Sequence, residues 1–122
     1  MMRSMFSGVT GLRNHQTKMD VIGNNIANVN TVGFKKSRTI FQDTLSQTMR
    51  GAASPQGNRG GTNPMQIGLG MTIASIDTIH SPSSAESTGN MTDMAIEGEG
   101  FFIVGQGLDE YFTRAGNFGF DR

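Results

Sequence analysis

The sequence predicts an α+β chain: a long N-terminal helix, a Gly-rich extended connector, and the start of an antiparallel β domain that is left incomplete. Three observations carry that reading. Apolar residues recur at helical spacing from about residue 4 to residue 30. Glycine and proline crowd the middle of the chain, and β-branched residues alternate from residue 71 onward. The organisation expected is 1–34 for the helix and its closing turn, 35–70 for a short helix and connector, and 71–122 for the first strands.

The helix rests on Met5, Val9, Leu12, Met19, Ile22, Ile26 and Val29, which recur at a heptad-like period of about 3.5 residues and so share one face. Gln16 and Gly23 interrupt the stripe. Its end is expected between Asn30 and Gly33, with Lys35, Lys36 and Arg38 placed favourably beyond the negative end of the helix dipole. Within it, DVIGNNIANVN loads the helical pattern with Gly23, Asn24, Asn25, Asn28 and Asn30, which helices disfavour. Ordering the backbone of such a helix costs more than burial of its stripe returns, so alone in water the segment is expected to be largely disordered. Two readings of the Asn and Gly residues stand side by side. Either they are small, hydrogen-bonding contacts for a neighbouring element, or they fray into a cap and turn.

In TIFQDTLSQTMR, Phe41, Leu45 and Thr48 or Met49 suggest a second, short helix stopped by Gly51. Residues 51–70 hold six Gly and two Pro and read as an extended connector without its own core. MTIASIDTIH then reads as a strand with neither face purely apolar. MAIEGEGFFIV is expected to run strand, bend at Gly98 to Gly100, strand. EYFTRAGNFGFDR is expected to give a last strand through Phe118 and Phe120 after a turn at Gly116. The chain then stops in mid-element, which reads as the front part of something longer.

Composition narrows the function classes. Leu, Ile, Val and Phe number 26 of 122 residues, a thin supply for a compact core, and the formal net charge is zero. The zero conceals polarity: residues 1–61 carry eight basic groups against two acids, residues 62–122 two against eight. That asymmetry suits head-to-tail association and equally suits an ordinary solvated surface. Cysteine is absent, so thiol chemistry is excluded. Arg13, Lys18 and Asp20 break the N-terminal apolar window, which therefore reads as neither signal peptide nor membrane span. His15 and His80 lack partners at metal-ligand spacing. The glycines of GEGFFIVGQG do not match a phosphate loop, and KKSR with Phe34 is too small a basic surface for nucleic acid. Glu97, Glu99, Asp109 and Glu110 read as exposed turn acids rather than an acid–base pair. No catalytic, metal or cofactor-binding residue is expected, and the chain reads as a non-enzyme.

MMRSMFSGVTGLRNHQTKMDVIGNNIANVNTVGFKKSR resembles the N-terminal signature of the bacterial flagellar axial proteins, the hook and rod subunits. QIGLGMTIASIDTIHS, STGNMTDMAIEGEGFFIV and YFTRAGNFGFD resemble the following blocks of hook and distal-rod proteins in the same order, and residues 51–64 are the least diagnostic. The resemblance implies a structural subunit of an extracellular helical tube in the hook or basal body, exported without a cleaved signal through the flagellar export apparatus. The implied partners are further copies of the subunit, other axial proteins and that apparatus, with neither nucleic acid nor direct membrane insertion. It also implies an inner coiled-coil shell in which the N-terminal helix packs on a C-terminal helix, with the β region outside. On that basis Met5, Val9, Leu12, Met19, Ile22, Ile26 and Val29 form the assembly seam. Gly23, Asn24, Asn25, Asn28, Gly33 and Phe34 form the signature that closes the helix and turns the chain outward. No C-terminal helix is present in these residues, so they are expected not to assemble alone. Between members the expectation leans to hook over distal rod. The competing class is a small binding or adaptor module, such as an export chaperone, which would be a self-sufficient monomer.

Overall fold

The computed structural model describes residues 1–120. Its elements in chain order are α1 (Met2–Ala27), β1 (Ser37–Asp43), β2 (Gln47–Arg50), β3 (Met65–Ile67), β4 (Met71–Thr78), β5 (Phe102–Gln106) and β6 (Asp109–Thr113). The strands form three two-stranded pairs, β1 with β4, β2 with β3 and β5 with β6. Among the described residues no hydrophobic side chain is buried. The architecture is thus helix plus ribbons, with backbone pairing rather than a core holding each piece. Two compact units emerge, each drawn from two stretches of chain: Met1–Val21 with Thr39–Asp77, and Ile22–Arg38 with Thr78 onward.

In the first unit, the helix turns its small and polar side toward its own strands. Ser7, Thr10, Gly11, Asn14, Thr17 and Val21 are half-buried. The Asn14 amide donates to the Met71 carbonyl at 2.6 Å. Gly70 (φ 114°) lies so close to Thr10 and Ser7 that a Cβ there would collide with the Thr10 hydroxyl. The Gly70 carbonyl accepts from both the backbone N–H (3.0 Å) and the hydroxyl (2.8 Å) of Thr44. Phe41 receives the His15 ring edge-on at 5.4 Å and the Lys18 ammonium at 5.5 Å.

The expected short helix at 39–50 does not form; β1 and β2 occupy it. Period two prevails over period 3.6 here because Thr39, Ile40, Thr44 and Thr48 are β-branched. In β1, Ser37, Thr39 and Phe41 are half-buried while Arg38, Ile40 and Gln42 face out, and Leu45, counted toward the helix, is exposed. The connector is more regular than its composition suggested. β2 and β3 pair antiparallel through Gln47↔Ile67 and Thr48↔Gln66, with a bulge before Arg50↔Met65. The bridges Ala53↔Thr62 and Gln56↔Arg59 extend the ribbon to a two-residue loop at Gly57 and Asn58, where Gly57 takes φ 58°. A left-handed glycine first in a two-residue loop is the pattern of a II′ hairpin. Every residue from 45 to 69 is exposed, so the arm has no core, as its composition implied.

In the second unit, α1 ends at Ala27 rather than near Asn30 and continues as tight turns: Val29 N–H bonds Ile26 O, Thr31 N–H bonds Asn28 O, and Phe34 N–H bonds Thr31 O. Gly33 closes the series with φ 75°. Lys35, expected to complement the helix end, instead donates to the Ser81 carbonyl at 2.8 Å. β5 and β6 pair antiparallel from Phe102↔Thr113 to Gln106↔Asp109 around Gly107 (φ 78°).

Two expected strands are absent. Residues 94–97 form none: Arg114 draws the Ile96 carbonyl, and those of the bend, onto its side chain, donating to Ile96 O (3.2 Å), Gly98 O (2.6 Å) and Gly100 O (2.7 Å). Residues 118–120 form none either, and the strand lies earlier, at β6. Gly116 is buried there and exchanges backbone contacts with Met94, Asn117 bridges Asp93, and Phe118 turns its ring edge-on to Phe102 at 5.2 Å. The rest of that expected strand, Asp121 and Arg122, lies outside the described residues.

Candidate assembly interface

A 26-residue helix with apolar residues at heptad spacing has to cover them with something. Its own strands do not. On 3.6 residues per turn the stripe sits roughly 160° around the helix from the half-buried face of Ser7, Thr10, Asn14, Val21 and Asn25. All seven stripe residues are exposed, from 37% at Ile22 to 75% at Val29. Val29 lies beyond the last α-helical residue, in the following turns. The face used within the chain was legible as a second heptad-like series of small and hydroxyl-bearing residues, yet the apolar stripe alone draws the eye.

The small face suits close backbone approach and internal hydroxyl bonding. Thr10 and Thr17 return their hydroxyls to the carbonyls of Ser7 (2.8 Å) and Arg13 (3.2 Å). Among the signature residues, Asn25 makes a two-way clamp. Its amide donates to Ser37 O at 2.8 Å, and its carbonyl accepts the Ser37 N–H at 2.9 Å, as a paired strand would. Asn28 donates to the backbone carbonyl (2.9 Å) and side-chain oxygen (3.0 Å) of Asn24 and accepts from the Thr31 hydroxyl at 3.1 Å. Phe34 is half-buried, and Gly33 sits against Arg114 and Ala115. Gly23 has open space around it. Asn25 and Asn28 are therefore engaged inside the chain, whereas Gly23 and the apolar stripe are not covered by it.

The Asn25 clamp makes a testable difference between substitutions. Asn25→Ala removes both bonds and is expected to raise hydrogen exchange at the Ser37 amide by roughly tenfold or more. Asn25→Asp retains an acceptor for that amide but sets a carboxylate oxygen against the Ser37 carbonyl, so exchange is expected to fall between the parent and alanine rates. Equal exchange in parent and alanine variants would remove the clamp from the account.

The groups weighed for chemistry lie apart. His15 rests on Phe41 and His80 edge-on to Phe101 at 5.9 Å. Glu97, Glu99, Asp109 and Glu110 are exposed. Among the described residues no cluster of His, Cys, Asp or Glu could hold a metal ion, and no helix is long and apolar enough to cross a membrane.

The helix thus meets its own strands with one face and leaves the apolar stripe of the other exposed. Comparison with known proteins finds likenesses along the chain. Residues 5–35 match the family model for flagella basal body rod protein. Across 99% of its length the chain is 59% identical to flagellar hook protein FlgE of Borreliella burgdorferi and 57% identical to flagellar hook protein FlgE of Treponema pallidum. It is 56% identical, again across 99%, to flagellar basal-body rod protein FlgG of Bacillus subtilis. The matches cover 27%, 26% and 46% of those relatives, so the chain spans a quarter to just under half of their lengths. The resemblance to hook and rod proteins seen in the sequence thus holds along the whole chain.

Proposed function

We propose that these residues are part of a structural, non-enzymatic subunit of the bacterial flagellum, of the hook type. The subunit stacks into a helical tube by covering the apolar stripe of α1 with helices from the rest of the assembly. The observation that carries the reading is the outward stripe: the helix makes its internal contacts through the opposite, small and polar face. The seam is Met5, Val9, Leu12, Met19, Ile22, Ile26 and Val29. Asn25, Asn28, Gly33 and Phe34 close the helix and turn the chain, while Gly23 leaves room for a neighbour's backbone.

The hook assignment draws on two relatives from one organism, Borreliella burgdorferi, whose hook protein is 59% identical and whose rod protein is 38% identical. The Bacillus subtilis rod protein at 56% favours the second reading, a distal rod subunit. On either reading the protein is an axial subunit whose partners are copies of itself and other axial proteins, and it reaches the outside of the cell through the export apparatus. An adaptor or chaperone reading fits poorly with a chain that buries no hydrophobic side chain among its described residues. Electron microscopy of a strain deleted for the gene separates the readings: complete rods without hooks are expected, and rods that end early would assign the protein to the distal rod.

A further inference from the structure

Nine of the 122 residues are methionine, and two of them, Met5 and Met19, occupy the apolar stripe. They stand fourteen residues apart, two heptads along one helix face, and both are exposed. Met1, Met2, Met65, Met91 and Met94 are exposed as well, but none of them lies in the stripe. Met71 is half-buried in β4, where its backbone is held by Asn14. The Met49 thioether accepts a guanidinium N–H from Arg3 at 3.8 Å, which occupies a sulfur lone pair. Met5 and Met19 lie on the face that the subunit reading dehydrates when helices pack.

We propose that Met5 and Met19 are oxidation sites that control assembly, converted by a peroxide to methionine sulfoxide in the unassembled subunit; this rests on the subunit reading above. A sulfur lone pair on Sδ attacks one peroxide oxygen and the O–O bond breaks. The S–O bond forms, and the departing oxygen leaves as water after proton transfer. Sulfur is oxidised by two electrons and the peroxide is reduced by two. The product is a polar sulfoxide in place of a flexible apolar thioether, and an apolar helical seam offers its oxygen no donor. Once the seam is packed, the same thioethers are shielded. Sensitivity is therefore confined to the interval between export and incorporation.

The test uses the purified whole subunit of which these residues are part, and hydrogen peroxide. Peptide mass spectrometry follows oxygen addition at each methionine, and sedimentation measures polymer. Met5 and Met19 are expected to oxidise ahead of Met49 and Met71, and the protein concentration needed for polymer to rise about tenfold or more per sulfoxide. Treatment with the two methionine sulfoxide reductases restores polymerisation. The M5L/M19L double variant keeps apolar volume in the seam and sets its own untreated baseline, and peroxide is expected to leave that baseline unshifted. Unchanged polymerisation of a chain oxidised at both positions overturns the proposal, as does equal loss in the double variant, which would place the sensitive sulfur elsewhere. An untreated chain that never polymerises overturns the subunit reading itself, and the proposal with it.

Discussion

Replacing Leu12 with aspartate is expected to abolish assembly while leaving the fold of the unassembled chain unchanged. Leu12 is 73% exposed, so in the free chain the new carboxylate remains in water and removes no internal contact. In the proposed tube the same position would be dehydrated against a neighbouring helix. An unpaired charge left buried costs several kcal/mol, more than a hundredfold in subunit affinity, and every copy in the polymer repeats the penalty. Ile26→Asp is expected to act in the same way, whereas Leu12→Met, which conserves apolar volume, keeps assembly. The readouts are hook structures by electron microscopy, swimming, and the amount of subunit in the cell. Normal hooks built from Leu12→Asp subunits would remove the stripe from the interface.

The existence of that stripe was legible in the sequence, because heptad spacing survives without knowledge of any partner. The direction it faces was not legible in the same way. A helix with two usable faces shows its apolar one first, and Ser7, Thr10, Gly11, Asn14, Thr17 and Val21 look like interruptions until Gly70 and Met71 are placed against them. The Asn-rich run is similar. It was open whether these residues serve a neighbour or a turn. Asn25 and Asn28 serve the chain's own backbone, through a bond pattern linking positions twelve and four residues away. Long-range pairing of that kind leaves no local period.

At 39–50 and in the connector the departures from expectation have local causes. Four β-branched residues outweigh a sparse apolar spacing at 39–50, so β-propensity was the better guide there. Gly57-Asn58 is a two-residue hairpin signal inside the connector, and reading it would have supplied the β2–β3 arm. The strand expected at 94–97 fails because the Ile96 carbonyl turns to Arg114, a side chain eighteen residues on, which no window of neighbouring residues contains. Where backbone pairing decides the structure, the sequence shows it through turns and β-branching. Where a side chain captures the backbone, it does not.

Gly33→Ala is expected to disrupt the turn that follows α1. Gly33 takes φ 75°, a left-handed conformation that costs an L residue about 1 kcal/mol or more. A Cβ there would also come within 2.8 Å of the Arg114 carbonyl carbon and 2.9 Å of the Ala115 Cα, both backbone atoms that cannot swing aside. Overpacking of that kind adds about 1–3 kcal/mol. The two effects together disfavour the native turn by roughly two orders of magnitude, and no buried core stands behind it to absorb the strain. Amide exchange across 31–37 and 114–117 is the measurement, with both segments expected to lose protection together. Gly23→Ala supplies the contrast. Gly23 lies inside α1 with nothing within 4 Å of a would-be Cβ, so alanine should stabilise the isolated helix by about 0.5–1 kcal/mol. If the Gly23→Ala subunit is more stable yet assembles poorly, the hydrogen at that position is needed by a neighbour and not by this chain. If it assembles normally, close approach at Gly23 has no part in the seam.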